Sequence, residues 1–266
     1  MSPRAFLING LIAGLIAGLF AFGAAYFIGE PHIDTAIALE EGGSHSHGDD
    51  HSHGDGRAHA EEAAPAEEEE GGISRDRQST FGLATGTVVI GLALGGIVGV
   101  AAAFALGRLG RLRPAASTAL IAGVGFVAFA LAAWVKYPPN PPAVGSGDTI
   151  GARTAAYFGF QGLSVLLAVA AVVLAARLAS RGDGWLATAV PVVGWAVLIT
   201  AAGLALPAAD PVPAEFPAEP LWGFRLSSLV TQAVLWGVLA LVLSGLVHRT
   251  ARAEEARRSL AAGVRA

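Results

Sequence analysis

The chain has 266 residues, of which 53% are hydrophobic and only 14% are charged, and its mean hydropathy is +0.56. Soluble domains carry about a quarter charged residues, so this composition excludes an ordinary soluble protein and predicts a membrane protein. The sequence has no cysteine, which excludes disulfides, thiolate metal sites and cysteine nucleophiles.

Six apolar stretches are long enough to cross a bilayer. A helix rises about 1.5 Å per residue, so a hydrocarbon core of ~30 Å takes roughly 20 apolar residues. Lipid offers no partners for backbone N–H and C=O groups, so such stretches must be helical. The predicted fold is therefore all-α, a polytopic membrane protein with a six-transmembrane-helix bundle. The predicted spans are residues 6–28, 81–106, 116–135, 154–176, 185–206 and 221–247.

The basic residues indicate how this bundle is oriented. Eleven of the 17 lysines and arginines precede the first span, lie on the connections after the second and fourth spans, or lie in the C-terminal tail. The positive-inside rule then predicts an N-in/C-in topology in a bacterial cytoplasmic membrane, with multiple passes. The alternative is that the first span is a cleaved signal peptide. Its length and the lack of a clear A-x-A site before Glu30 favour a membrane anchor.

This topology divides the chain into four parts. Residues 1–28 form the first transmembrane helix, and residues 29–77 form an extracytoplasmic loop rich in histidine and acid. Residues 78–248 form the five-helix remainder of the membrane domain, and residues 249–266 form a basic cytoplasmic tail.

Small residues predict how the first two spans pack. Transmembrane helices associate through close backbone approach, which small side chains permit. Glycine recurs every four residues in both spans, so we expect each span to present a packing face. The glycines concerned are Gly10, Gly14 and Gly18 in the first span, and Gly91, Gly95 and Gly99 in the second.

The long loop differs from the rest of the chain. Between Glu30 and Asp76 it holds 14 of the 21 acidic residues, and it contains six of the seven histidines. Residues 30–41 (EPHIDTAIALEE) predict a short amphipathic helix. The following Gly-, Ser- and acid-rich segment cannot bury a core, so we expect the loop to be largely disordered.

Histidines at H-x-H spacing beside carboxylates are typical of a site for a transition metal. Neutral imidazole suits cobalt, nickel, zinc and copper(II), and a flexible chain lets several side chains converge on one ion. The alternative is a solvated acidic spacer with incidental histidines. The spacing does not identify the metal, because copper and nickel bind such ligands more tightly than cobalt. The candidate metal ligands are His32, Asp34, His45, His47, Asp49, Asp50, His51, His53 and His59.

No ionisable residue lies in the middle of any span, which argues against a self-sufficient proton-coupled transporter. Polar residues and the proline-rich segment KYPPNPPAVG instead gather at the outer ends of the spans. Gln161 and Gln232 serve either interhelical hydrogen bonds or oxygen ligation of an ion. Arg225 lies one turn inside its span and needs a partner, for which Glu215 and Glu219 are the nearest candidates. The candidate pathway residues are Lys136, Asn140, Arg153, Tyr157, Gln161, Arg225 and Gln232.

Several segments together resemble the CbtA family over nearly the whole chain. They are EPHIDTAIALEE after the first span, the histidine-rich loop, KYPPNPPAVG with TIGARTAAY, and FPAEPLWGFRLSSLVTQAVLW. The resemblance implies a subunit of a bacterial cobalt transporter, with Co²⁺ as substrate. It also implies a small single-span partner, CbtB, that carries a histidine motif. It supplies no ligand residues.

The expected function is that of a membrane subunit of a cobalt uptake transporter, whose outer loop captures metal for a vestibule between the helices. The alternatives are a metal-binding sensor or buffer that transports nothing, and an importer of nickel or zinc. The sequence contains no H-E-x-x-H, G-x-S-x-G or Walker motif, so we expect no enzymatic activity. We expect no cofactor besides the metal as substrate. The expected partners are the lipid bilayer and the single-span subunit, with no nucleic acid.

Overall fold

The computed structural model describes residues 2–44, 74–110, 112–142, 144, 149–182, 184–208, 212–213 and 216–263. This part of the chain is helical and contains no strand, which confirms the all-α prediction. The α-helices are Pro3–Ala24 (α1), Glu30–Ser44 (α2), Arg75–Arg77 (α3), Leu83–Ala105 (α4), Pro114–Gly125 (α5), Ala132–Lys136 (α6), Ile150–Ala179 (α7), Gly184–Ala205 (α8) and Ala218–Gly263 (α9). Three π-helical segments, Ala25–Gly29, Gln78–Gly82 and Phe126–Leu131, join α1 to α2, α3 to α4 and α5 to α6.

Six of the resulting helices are long and apolar enough to cross a membrane, which confirms the predicted number of spans. They run over Pro3–Glu41, Ser79–Ala105, Pro114–Lys136, Ile150–Ala179, Gly184–Ala205 and Ala218–Ala262. Their direction across the membrane stays a prediction.

Neighbouring spans are antiparallel, so the bundle has two ends. We call the end that carries Glu30, Tyr137 and Ala218 the loop end. The opposite end, which carries Pro3 and Gly263, is the tail end. Hydrogen bonds between distant residues mark both ends: Trp134 Nε1 donates to the Arg225 carbonyl at 3.0 Å, and Asn9 Nδ2 donates to Thr250 Oγ1 at 3.3 Å.

The glycine rows of the first two spans face each other, as predicted from their spacing. Gly10 and Gly14 of α1 lie against Gly91 and Gly95 of α4 with backbone touching backbone. A Cβ atom on Gly91 would come within 2.9 Å of the Cα atom of Gly18, a separation that real Cβ atoms do not show. Glycine is therefore required here by space, because any side chain would push the two helices apart.

Helix α9 supplies much of the core. Leu239, Leu243 and Val247 are fully buried, and Trp236 lies against Gly125 and 6.0 Å from the Phe129 ring. The helix has 46 residues and is therefore about 69 Å long, well beyond the thickness of a bilayer. The predicted boundary at residue 248 falls inside this helix, because nothing in the sequence of the tail ends it.

The predicted amphipathic helix after the first span is present as α2. It continues α1 through the π-helical segment Ala25–Gly29 instead of forming a separate element. No turn interrupts the backbone between Ala24 and Glu30, so the helix of the first span continues directly into α2, whose second residue is Pro31.

Candidate functional site

A cavity of about 790 Å³ lies at the loop end between the third, fourth and sixth spans. Its walls are aromatic and proline side chains, and its polar lining comes mainly from residues singled out in the sequence. Five of the seven candidate pathway residues border it: Asn140, Arg153, Tyr157, Gln161 and Gln232. Lys136 and Arg225 lie next to the cavity without lining it.

Gln161 lies deep in this cavity and is only 6% exposed. Its Nε2 atom donates a hydrogen bond to the Phe129 carbonyl at 3.0 Å and lies 3.4 Å from the Tyr157 hydroxyl oxygen. Phe129 belongs to the π-helical segment Phe126–Leu131, where backbone carbonyls depart from the regular α-helical pairing. Gln161 therefore links the fourth span to an irregular turn of the third.

Gln232 borders the same cavity from α9. Its Oε1 atom is buried and has no hydrogen-bond partner within the described part of the chain. Ser228, one turn away, is already used, because its hydroxyl donates to the Arg225 carbonyl at 2.8 Å. The Gln232 carbonyl oxygen is thus a buried acceptor without a described partner, in a residue that lines the cavity.

Arg225 is held by neutral groups. Its Nη2 atom donates to Asn140 Oδ1 at 2.8 Å, and its guanidinium lies 5.5 Å from the centre of the Trp222 ring. It forms no ion pair with Glu219 in the structure, and Glu215 lies outside the described residues. Within the described part of the chain an amide oxygen and an indole face contact Arg225, and both stabilise a cation without a second charge. The expected pairing with Glu215 stays a prediction.

Lys136 connects the ends of two spans. Its Nζ atom donates to the Leu206 carbonyl at 3.2 Å and lies 5.2 Å from the centre of the Tyr137 ring. The Tyr137 hydroxyl in turn donates to the Pro207 carbonyl at 3.0 Å. These bonds fix the position where the third span ends beside the fifth.

An ion-pair cluster joins the two ends of the long loop. Arg75 bonds to Glu30 and lies 3.0 Å from Asp34, so the first and last parts of the loop are held together. We call these three residues the clasp. Burial alone lowers the pKa of Arg75, but the hydrogen bonds and charges of Glu30 and Asp34 outweigh it and raise that pKa above its ordinary value. Asp34, a candidate metal ligand, is therefore already paired with a cation.

His32 lies against α9. A Cβ atom on Gly223 would come within 2.5 Å of the His32 Cε1 atom, so the glycine leaves room for the imidazole. No group of three or more metal-ligating side chains occurs among the residues that the structure describes. The remaining candidate ligands lie outside the described residues: His45, His47, Asp49, Asp50, His51, His53 and His59.

Sequence reasoning missed Arg75, Phe129 and Trp134. A signal for Arg75 existed, because Glu30 and Asp34 are spaced by one helical turn and so present two carboxylates on one face. Phe129 contributes a backbone carbonyl, and any residue type at that position supplies the same group. Trp134 donates to a carbonyl 91 residues away, a pairing that no local pattern predicts.

The cavity can hold a polar or partly apolar ligand, since it combines amide, hydroxyl and guanidinium groups with aromatic walls. Its described lining offers hydrogen-bond donors and acceptors more than metal ligands. Such groups suit the ligands or waters that surround a metal ion better than the bare ion.

The comparisons with known proteins agree with this description. The family model CbtA, described as "Probable cobalt transporter subunit (CbtA)", matches residues 3–248. No curated protein and no solved structure gives a significant match. Six membrane-spanning helices and a match over nearly the whole chain lead to one assignment: the protein belongs to the CbtA family of probable cobalt transporter subunits.

Proposed function

We propose that this chain is the membrane subunit of a Co²⁺ uptake transporter in the bacterial cytoplasmic membrane. In this proposal the histidine-rich loop captures the metal outside, and the loop-end cavity serves as its vestibule. The observation that carries the proposal is position: the loop leaves and re-enters the bundle at the same end as the cavity. Family membership supplies the substrate.

Capture by the loop rests on the chemistry of imidazole. Six histidines between residues 32 and 59, interspersed with carboxylates, provide nitrogen and oxygen donors for several equivalent arrangements around one ion. Each imidazole must be neutral to bind metal, so protonation competes with cobalt. We expect the affinity of the purified protein for Co²⁺ to fall when the pH is lowered from about 7.5 to about 5.5, across the ordinary histidine pKa of ~6.5. Isothermal titration at the two pH values tests this, and equal affinities would exclude histidine ligation.

Transfer from loop to cavity is supported by a short series of contacts. The clasp holds both ends of the loop at the bundle, and His32 beside it packs on Gly223 of α9. Two residues further along α9, Arg225 donates to Asn140, which lines the cavity. The loop is therefore attached within about one helical turn of the cavity rim.

A second subunit completes the route in this proposal. The middle of each span lacks ionisable residues, and a metal ion crossing a bilayer needs polar groups throughout its path. We infer that the small single-span, histidine-bearing CbtB-like subunit provides the remaining ligands. Nickel and zinc are alternative substrates, because the amide and hydroxyl groups of the cavity do not distinguish among these ions.

The second candidate function is a metal sensor or buffer that transports nothing. The same lack of a ligand cluster in the described membrane domain favours it, since such a protein needs only its loop. The two functions differ in one measurable respect: a sensor binds cobalt tightly without moving it across a membrane.

The test is uptake of radiolabelled cobalt by cells that lack other high-affinity importers. The cells express this chain with and without the partner subunit, and nickel and zinc are added as competitors. Uptake that requires this chain and resists nickel and zinc supports the cobalt importer. A variant that lacks residues 45–73 should then need more cobalt for half-maximal uptake. Tight binding without uptake in either strain would support the sensor or buffer.

A further inference from the structure

A second cavity, of about 650 Å³, lies at the tail end between the third, fourth and fifth spans. Its lining is aliphatic and aromatic except for Thr188. That hydroxyl donates to the Gly184 carbonyl at 3.2 Å, and the Trp195 indole N–H donates to the Ser164 carbonyl at 3.1 Å. The lining presents no free polar group from Thr188 or Trp195, so a hydrocarbon is the ligand that it suits.

The depth of this cavity matches one leaflet of a bilayer. On the third span its lining extends from Ala119 to Ala128, which are nine helical steps or about 14 Å apart. Half of a hydrocarbon core of ~30 Å is about 15 Å. Small side chains, such as Gly123 on the third span and Ala171 on the fourth, leave the groove open along this length.

The tail-end mouth of the cavity is rich in exposed arginines. Arg108 directly precedes Leu109, which lines the cavity, and Arg177 lies two residues beyond Ala175, which also lines it. Arg113 directly precedes the third span, and Arg181 follows the end of the fourth. None of these four arginines forms an ion pair with any residue that the structure describes. Arginine binds phosphate groups through paired hydrogen bonds, so these side chains suit the headgroup of a phospholipid.

Arg108 Nη1 donates to the Phe104 carbonyl at 2.5 Å, which leaves its other guanidinium N–H groups for a ligand. We propose that this cavity is a binding site for an anionic phospholipid, with one acyl chain in the groove and the phosphate at the tail-end mouth, where Arg108 and Arg177 supply positive charge. The exposed indole of Trp185, at the start of the fifth span, lies where aromatic side chains meet lipid headgroups. The lipid fills space between the third and fourth spans, which also form two walls of the loop-end cavity. This site does not depend on the identity of the transported metal.

Spin-labelled lipids added to the full-length purified protein in phosphatidylcholine membranes test the headgroup. We expect spin-labelled phosphatidylglycerol to be immobilised by the protein in preference to phosphatidylcholine, with each arginine contributing about fivefold to the relative association constant. The double variant Arg108→Gln/Arg177→Gln should lose this preference. The matched control Arg249→Gln/Arg252→Gln removes the same charge from α9 and should retain it. Equal effects of the two double variants would overturn the proposal, because they would indicate ordinary boundary lipid.

Substitutions that fill the groove test whether an acyl chain occupies it. Ala171→Trp places an indole in the cavity and should release one immobilised lipid per protein together with the preference for phosphatidylglycerol. Val169→Trp, at a position 57% exposed on the same helix, should release none. Ala175→Leu fills less of the groove and provides the same readout if the Ala171→Trp protein does not fold. Unchanged lipid binding in a folded groove variant would overturn the proposal.

Discussion

The α1–α4 contact and the loop-end cavity are two extremes of helix spacing within one bundle. At the first, Gly10, Gly14, Gly91 and Gly95 bring two backbones into direct contact. At the second, spans three, four and six stand far enough apart to enclose about 790 Å³. Both regions lie in helices of similar hydrophobicity, so hydrophobicity does not decide which helices touch.

Side-chain size and rigidity account for the difference in helix spacing between these two regions. A membrane provides no hydrophobic force between helices, so contact develops where small residues permit it. Around the cavity, Trp134, Tyr137 and several prolines place large or rigid groups between the helices, whereas α1 and α4 have glycine at their contact. Prolines also fix the backbone and offer no N–H donor, which limits how far the rim can pair with itself.

The largest expected effect is that of adding a side chain where the glycines of α1 and α4 meet. In Gly14→Ala the new methyl group meets the Gly91 carbonyl and the Gly95 Cα atom, and neither backbone can give way. We expect the variant to lose about 3 kcal/mol or more of stability, at the upper end of overpacking effects. Thermal unfolding followed by size-exclusion chromatography measures the loss.

Gly86→Ala is the matched control, because Gly86 lies in α4 and a Cβ atom there has open space within 4 Å. Since alanine favours a helix over glycine, this variant should be as stable as the original or slightly more so. Equal melting temperatures for Gly14→Ala and Gly86→Ala would mean that the two helices are not in contact.

The two glutamines of the cavity should respond differently to leucine. Gln161→Leu leaves the Phe129 carbonyl without its donor, which costs about 1 kcal/mol. Gln232→Leu removes an Oε1 atom that has no described partner, so it should change stability little. If the cavity is a vestibule, both variants lower cobalt uptake. Melting temperatures together with uptake rates separate these roles, and a Gln232→Leu protein with full uptake would remove Gln232 from the pathway.

The helices, their number and the glycine contact were predictable because each depends on a pattern within one or two segments. A run of about 20 apolar residues has to be helical in lipid, and glycine at every fourth position marks one face. The gathering of Asn140, Tyr157 and Gln161 at one end followed from the predicted topology, because all three lie near the connection between the third and fourth spans.

The partners of individual side chains were not predictable, because they depend on how spans pack. Arg225 donates to Asn140, 85 residues earlier, a partner that the local sequence around Arg225 did not indicate. Arg75 reaches Glu30 across the whole loop. The tail-end cavity arises from the spacing of three helices, a property that no single helix encodes.

A smaller effect should distinguish two glycines of α9. In Gly223→Ala the new methyl group meets the far edge of the His32 ring, a flexible side chain that can move, whereas Gly237→Ala points into open space. We expect Gly237→Ala to gain up to about 1 kcal/mol from helix propensity and Gly223→Ala to forfeit most of that gain. Denaturation of the two variants side by side measures the difference. The same gain in both would mean that His32 does not pack on α9.

The smallest expected effect is that of the clasp on stability. Arg75→Gln removes an ion pair in which the Arg75 side chain is 37% exposed, so water screens it and the loss should stay below about 1 kcal/mol. A group whose pKa is raised by folding stabilises the protein at every pH below its unfolded value, so the effect of Arg75→Gln should be the same at about pH 6 and about pH 8. The control is Arg77→Gln, an exposed arginine two residues away outside the clasp. If the clasp aids delivery of metal, Arg75→Gln raises the cobalt concentration needed for half-maximal uptake, although it barely changes stability. Arg77→Gln should leave both the uptake and the stability unchanged. Unchanged uptake in Arg75→Gln would restrict the clasp to a structural role and leave the loop-end cavity to receive metal without it.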